Sequence, residues 1–134
     1  MTKKHIFTNG CFDVLHRGHL ELFKQAKRLG DVLIVGVDSD EKIKLDKGSD
    51  RPYNKLDDRV EMLKSLKLID EVYAFGSTRD LELLIKKISP DILIIGSDWR
   101  GKKVVGQQYA KEVKYFERIN GYSTTNILQN ITCR

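Results

Sequence analysis

The 134-residue chain predicts a single α/β domain, residues 1–134, built as a doubly wound parallel sheet of about five strands with helices on both faces. Three observations carry this. Asp31–Asp38 and Asp91–Gly96 are continuous apolar runs of the kind found in parallel strands buried on both faces. Segments with helical spacing separate such runs, and the length leaves no room for a second domain.

Taken in order, Ile6-Phe7 ends a first strand, Asn9-Gly10 reads as a turn, and Leu20, Leu22, Phe23, Ala26 and Leu29 form one face of an amphipathic helix. Asp31–Asp38 is the second strand. A polar basic loop follows over Lys42–Asn54, then a helix over Leu56–Leu66, a shorter strand over Asp70–Phe75, and a helix over Asp80–Ile88 ended by Ser89-Pro90. Asp91–Gly96 returns to the sheet and Val113–Phe116 closes it. Repeats, linkers and low-complexity segments are absent from the sequence.

Composition restricts the partners. The formal net charge of +5, from 24 Lys and Arg against 19 Asp and Glu, favours anionic ligands. Basic residues are interleaved with acids, as in Glu21–Lys24 and Asp57–Arg59, with no aromatic-basic platform, which speaks against nucleic acid. No apolar run approaches the roughly 20 residues needed to span a bilayer, and the amino terminus leads into a strand, so no membrane association and a cytoplasmic location are expected. Cys11 and Cys133 offer neither a disulfide framework nor a metal-ligand spacing.

All three histidines lie in the first 19 positions, two of them in His16-Arg17-Gly18-His19 at the junction between the first strand and its helix. In an open α/β sheet that junction borders the ligand crevice, and a helix amino terminus there attracts anions. Imidazole N–H groups would stabilise charge developing on phosphoryl oxygens, and Gly18 permits close backbone approach. The plainer alternative is that His16 caps the helix and His19 lies exposed on it. No G-x-G-x-x-G or G-x-x-x-x-G-K-[ST] fingerprint accompanies the pair. Near the other end, Ser123, Thr124 and Thr125 precede Ile127, Leu128 and Ile131 as a hydroxyl-rich helix start suited to phosphate.

Gly10, Phe12, Asp13, His16, Gly18 and His19 match G-x-F-D-x-x-H-x-G-H, and Ser123-Thr124-Thr125 matches a second motif, so the chain resembles the cytidylyltransferase-like nucleotidyltransferases. The resemblance implies a Rossmann-like fold and in-line attack by an acceptor phosphate on the α-phosphorus of CTP or ATP, with Mg²⁺ carried on the triphosphate and pyrophosphate released. His16, His19, Lys44 and Arg118 form the implied catalytic set. The implied nucleotide site comprises Asn9, Gly10, Cys11, Phe12, Asp13, His16, Gly18 and His19 on the first strand and helix. Gly96 and Asp98 add the turn after the fourth strand, and Arg118, Tyr122, Ser123, Thr124 and Thr125 the carboxyl-terminal motif.

Lys44, Lys47 and Arg59 are the candidates for the acceptor phosphate. For the lysines a solvated loop, and for Arg59 an ion pair with nearby acids, are the alternatives. Asp13 would orient an imidazole or touch a metal, and no residue is assigned directly to metal. Trp99 either packs on the sheet edge or stacks on a base. A homodimer is implied by the resemblance alone.

Trp99, Gly101-Lys102 and Arg118 resemble the glycerol-3-phosphate cytidylyltransferases, which the compact length also suits, making CTP and a small phosphorylated alcohol the first expectation. Asp50–Asn54, Val104–Gly106 and Gly121–Ile127 resemble instead the adenylyltransferase domain that makes ADP-heptose from ATP and heptose 1-phosphate. FAD synthetases share the scaffold, and a nucleotide-binding regulator without turnover is the alternative outside the enzymes.

Overall fold

In the computed structural model, residues 2–117 are described. Five strands, β1 (His5–Gly10), β2 (Val32–Asp38), β3 (Glu71–Phe75), β4 (Ile92–Gly96) and β5 (Glu112–Phe116), form one sheet in the order β3-β2-β1-β4-β5. Every pairing is parallel. The helices are α1 (Arg17–Arg28), α2 (Asp40–Lys47), α3 (Leu56–Lys64) and α4 (Thr78–Ile88). None of the described helices is long and apolar enough to cross a membrane.

The period of two along the strands assigns the faces. Ile6, Leu33, Val35, Val37, Ile92 and Ile94 are buried with Phe23 and Ala26 of α1 and Leu63 of α3. Phe7, Ile34, Phe75 and Leu93 are buried on the opposite face with Leu81 and Ile85 of α4 and with Val104. Glycine is demanded at position 36, where a Cβ would lie 2.8 Å from Phe7 Cζ and 3.2 Å from Phe75 Cε1.

Three aspartates standing one residue ahead of β2, β3 and β4 close the amino-terminal end of the sheet. Asp31 N–H donates to Lys4 O at 2.8 Å while Asp31 Oδ2 accepts Lys4 N–H at 2.8 Å. Asp70 makes the same reciprocal pair with Leu33, at 2.9 and 2.7 Å, and Asp91 with His5, at 2.9 and 2.8 Å. Each carboxylate satisfies an amide that the ladder leaves unpaired at its edge.

Three expectations need correction. Asn9 and Gly10 do not turn but continue β1, paired with Gly36 and Val37. The first half of the expected Lys42–Asn54 loop is α2: Ser39 Oγ caps it by accepting Lys42 N–H at 3.2 Å, Lys42 pairs with Asp46 one turn on, and Ile43 is its buried anchor. Leu45 is 86% exposed, so the segment lacks the apolar stripe by which a helix is recognised. Leu20 likewise faces outward, and Phe23 and Ala26 anchor α1.

Candidate active site

The strand order reverses between β1 and β4, so connections leave their carboxyl ends in opposite directions and open a crevice there. A cleft of about 660 Å³ occupies this position. Its floor is the segment 8–13, Ile95 and Gly96 border it on the β4 side, and Lys42, Lys47 and Arg51 stand on the β2 side.

The two imidazoles are positioned by the start of α1. His16 is the N-cap residue, with extended backbone, and its Nδ1 accepts Gly18 N–H at 3.0 Å. His19 returns the favour three residues on, its Nδ1 accepting His16 N–H at 3.2 Å. This is a capping box in which imidazole nitrogens replace the usual oxygens. Two consequences follow. A nitrogen that accepts an amide proton carries none, so in the neutral ring the proton resides on Nε2, and both histidines become Nε2–H donors. The rings are also stacked, with centroids 3.8 Å apart and planes at 25°. The alternatives posed for His16 are therefore not exclusive, since it caps the helix with one nitrogen and lines the cleft as well.

Phe12 supports the pair from below. Its φ of 49° is left-handed, unusual for a bulky residue, and folds the ring back over Gly10, where a Cβ would approach Phe12 Cζ to 3.1 Å. The ring then meets His19 edge-on at 5.3 Å and Phe23 at the same centroid distance. Gly10 thus leaves room for the Phe12 ring, and that ring packs against the His19 imidazole.

Asp13, expected to orient an imidazole or touch a metal, has both carboxylate oxygens taken up by backbone amides. Its carboxylate is buried and clips the following loop, accepting Asn54 N–H at 2.7 Å on one oxygen and Tyr53 N–H at 2.8 Å on the other. Asn54 Nδ2 donates to Asp13 O at 2.6 Å. Among the described residues no group of three or more His, Cys, Asp or Glu side chains is arranged to hold a metal ion.

Arg59 is corrected from phosphate contact to internal strut. Only 1% exposed, it donates through Nη1 to Cys11 O at 2.9 Å and Asp38 O at 2.8 Å, through Nε to Asn54 O at 3.0 Å, and through Nη2 to Asp40 Oδ1 at 2.7 Å. One guanidinium so ties the loop after β1, the end of β2 and the start of α2 to the loop ahead of α3. Lys44 is corrected too: it is exposed and does not line the cleft, because the helical turn of α2 brings Lys42 and Lys47 to that side. Of the β4 turn, Gly96 and Trp99 line the cleft whereas the exposed Asp98 does not. Arg118 and Tyr122–Thr125 fall outside the described residues.

The segment 9–13, His16, Gly18, His19, Lys47 and Gly96 are thus brought together around one cleft. Sequence reasoning passed over Asp38, Lys42 and Arg51. Asp38 ends the apolar run of β2, which is a legible sign of a residue at the ligand edge of the sheet. Its Oδ2 lies 3.6 Å from Cys11 Sγ and 3.5 Å from Lys42 Nζ. Burial, and then the negative charge of Asp38, push the Cys11 thiol above its ordinary value against the opposing pull of Lys47. Lys42 is lowered by burial but raised by more through its hydrogen bond to Asp46 and the charges of Asp38 and Asp46, so it stays protonated.

Comparison with known proteins identifies the family and the fold. The model of the family described as cytidylyltransferase-like matches residues 7–130. The bifunctional protein HldE of Helicobacter hepaticus is 50% identical over 96% of this chain, and that of Nitratiruptor sp. is 50% identical over 96%. These alignments cover 26% and 28% of the respective relatives, so the chain spans about a quarter of the length of the curated relatives it matches. Among solved structures, the lipopolysaccharide core biosynthesis protein from Thermoplasma volcanium superposes with a TM-score of 0.71 at 25% identity, over 91% of this chain and all of that one. A pantoate-beta-alanine ligase from Francisella tularensis, at 16% identity and a TM-score of 0.59 over 98% of this chain and 72% of that one, shares the fold. On the match of its sequence over most of its length, this chain belongs to the cytidylyltransferase-like family of nucleotidyltransferases.

Proposed function

We propose that the chain transfers AMP from ATP to a sugar phosphate such as heptose 1-phosphate, releasing pyrophosphate. The observation that carries the transfer chemistry is the stacked imidazole pair lining the switch-point cleft, each ring pinned through Nδ1 so that Nε2 is its donor nitrogen. A phosphate monoester is already an anionic nucleophile, so no side chain has to attack. One acceptor oxygen forms a bond to the α-phosphorus while the bond from that phosphorus to the bridging oxygen breaks, and the electron pair leaves with pyrophosphate. The Nε2–H donors of His16 and His19 stabilise charge on the phosphoryl oxygens as it develops. Bound to the triphosphate, Mg²⁺ would supply shielding of its charge. The carboxylates at the cleft are already engaged, Asp13 by two amides and Asp38 by Lys42 and Cys11.

The choice of ATP and a sugar phosphate reverses the first expectation of CTP and glycerol 3-phosphate. Relatives named HldE, 50% and 47% identical over 96% of the chain, favour the adenylyl branch. So do the residues that resemble the ADP-heptose-forming domain, Asp50–Asn54 and Val104–Gly106. In this reading Gly96 and Trp99 border the nucleotide's half of the cleft, Arg118 and Ser123–Thr125 add contacts to the triphosphate, and the protein works in the cytoplasm, as a homodimer by family resemblance.

Pyrophosphate release with Mg²⁺, measured for ATP and CTP against heptose 1-phosphate, glycerol 3-phosphate and FMN, tests it. Release with ATP and heptose 1-phosphate is expected. Release confined to CTP with glycerol 3-phosphate would restore the first expectation, and ATP with FMN would mark an FAD synthetase. Nucleotide binding without release from any pair would make the protein a regulator.

A further inference from the structure

With Lys44 and Arg59 removed from the cleft, the partners of the remaining cations decide which of them meets the acceptor's phosphate. Among the described lining residues, Lys42, Lys47 and Arg51 carry the positive charge besides the histidines. Lys42 is held by Asp46 at 2.7 Å and Asp38 at 3.5 Å, beneath the ring of Phe75 at 5.8 Å. Lys47, the last residue of α2, is exposed and lies beside the Cys11 thiol.

Arg51 differs from both. Its side chain is only 14% exposed, yet Nε is buried with no hydrogen-bond partner among the described residues. Its one ion pair among the described residues is a long one, 3.5 Å from Nε to Asp13 Oδ2, and both oxygens of that carboxylate already accept the amides of Tyr53 and Asn54. The guanidinium is placed over the Tyr53 ring at 5.2 Å, and the loop carrying it is clipped to Asp13 on one side and braced through Asn54 O by Arg59 on the other. A fixed, largely desolvated guanidinium with an unsatisfied N–H is costly unless an anion completes it. A terminal phosphate, with oxygens spaced to match the guanidinium fork, does so in bidentate fashion.

The side of the cleft identifies which phosphate. Arg51 stands with Asp38 and α2 on the β2 half, while Gly96 and Trp99 border the β4 half assigned above to the nucleotide, with the imidazoles between. We infer that Arg51 grips the phosphate monoester of the acceptor and holds it for attack. This inference rests on the transferase reading, and its test separates the two.

Wild type, Arg51→Gln and Arg51→Lys are titrated calorimetrically with inorganic phosphate, with heptose 1-phosphate and with ATP·Mg²⁺, the first two also in the presence of a non-hydrolysable ATP analogue. Thermal melting confirms that each variant is folded. Arg51→Gln is expected to lose about tenfold or more in affinity for both phosphate probes, with ATP affinity held within about twofold, and Arg51→Lys to recover charge without the fork and fall between. In turnover, the KM for heptose 1-phosphate rises and the KM for ATP does not. The inference is overturned if wild type fails to bind inorganic phosphate, if folded Arg51→Gln binds it unchanged, or if ATP affinity falls in step with it. Arg51-dependent phosphate binding without pyrophosphate release from any pair would leave the grip standing and sink the transferase reading. Normal turnover with an unmoved acceptor KM in Arg51→Gln would do the reverse.

Discussion

The two ends of the sheet solve the same problem in opposite ways. At the amino-terminal end the ladder runs out of partners, and Asp31, Asp70 and Asp91 each return a carboxylate to the amide of the strand beside them while donating their own N–H to the same residue. Every such bond is local to the strand edge and closes it. At the carboxyl-terminal end, too, carboxylates and carbonyls accept N–H groups, but the bonds link separate connections: Asp13 to the amides of 53 and 54, and Arg59 to carbonyls after β1, at the last residue of β2 and ahead of α3. The loops are thereby fixed around the cleft, and the carboxylates on its wall are spent on holding them, while Lys47 and Arg51 stand beside them. One end uses polar pairing to finish the fold, the other uses it to hold side chains ready for a ligand.

The largest effect is expected where this division fails, at a structural residue on the functional end. Arg59→Ala strips a buried charge pair and leaves several carbonyls and Asp40 without their donor, a loss of about 3–5 kcal/mol in denaturant unfolding. A near-native midpoint in this variant would mean that the loops are held by something else. Next comes His19→Ala, expected to lower turnover by about 10²–10³-fold, equivalent to about 2.7–4 kcal/mol of transition-state stabilisation, with the helix intact. Turnover close to normal in the folded variant would remove His19 from the chemistry.

Asp70→Asn sharpens the contrast from the other end. Burial pulls the Asp70 carboxyl upward, but the hydrogen bonds from Lys27 and Leu33 N–H win and hold it below the ordinary carboxylate range. The Asp91 carboxyl is held low by the His5 amide and by Lys111. A folded-state value below the unfolded one contributes stability that is complete above the unfolded pKa and lost as pH falls through the folded value. Acid unfolding of the wild type should therefore steepen from about pH 4 downward, and Asp70→Asn should flatten that limb. At pH 7 the variant is expected to lose about 1 kcal/mol, the side chain being partly exposed, with turnover unchanged. An unaltered acid limb would show that the clip contributes nothing. The smallest effect belongs to Lys44→Ala, within about 0.5 kcal/mol in stability. A tenfold loss of activity there would return α2's outer face to the site.

What could be read beforehand follows the same division. The strands were legible because a parallel strand covered on both faces is a continuous apolar run, as β2 is, and α1, α3 and α4 because their buried positions recur at helical spacing, as at Phe23 and Ala26 or Leu81 and Ile85. The aspartates at 31, 70 and 91 appeared only as the opening letters of apolar runs, though their recurrence one residue before a strand was visible. α2 was missed because its stability comes from a serine cap, one buried isoleucine and an i,i+4 ion pair, none of which leaves an apolar stripe. The imidazole pair was legible as a motif, but its double role was not. The tasks of Arg59 and Arg51 were illegible for a different reason: they depend on loops some 48 and 38 positions away from Cys11 and Asp13 arriving at the same place.

In the proposed mechanism the imidazoles divide two jobs between two nitrogens of one ring, Nδ1 securing the helix and Nε2 serving the transfer. The jobs can therefore be uncoupled. Asparagine is among the best residues at the start of a helix, and its amide oxygen replaces the accepting nitrogen without supplying the donor beyond it. His16→Asn should consequently behave as a substrate trap, a protein that assembles its pocket, fills it with both reactants and stalls before the bond is made, which makes it the form in which to catch the ternary complex.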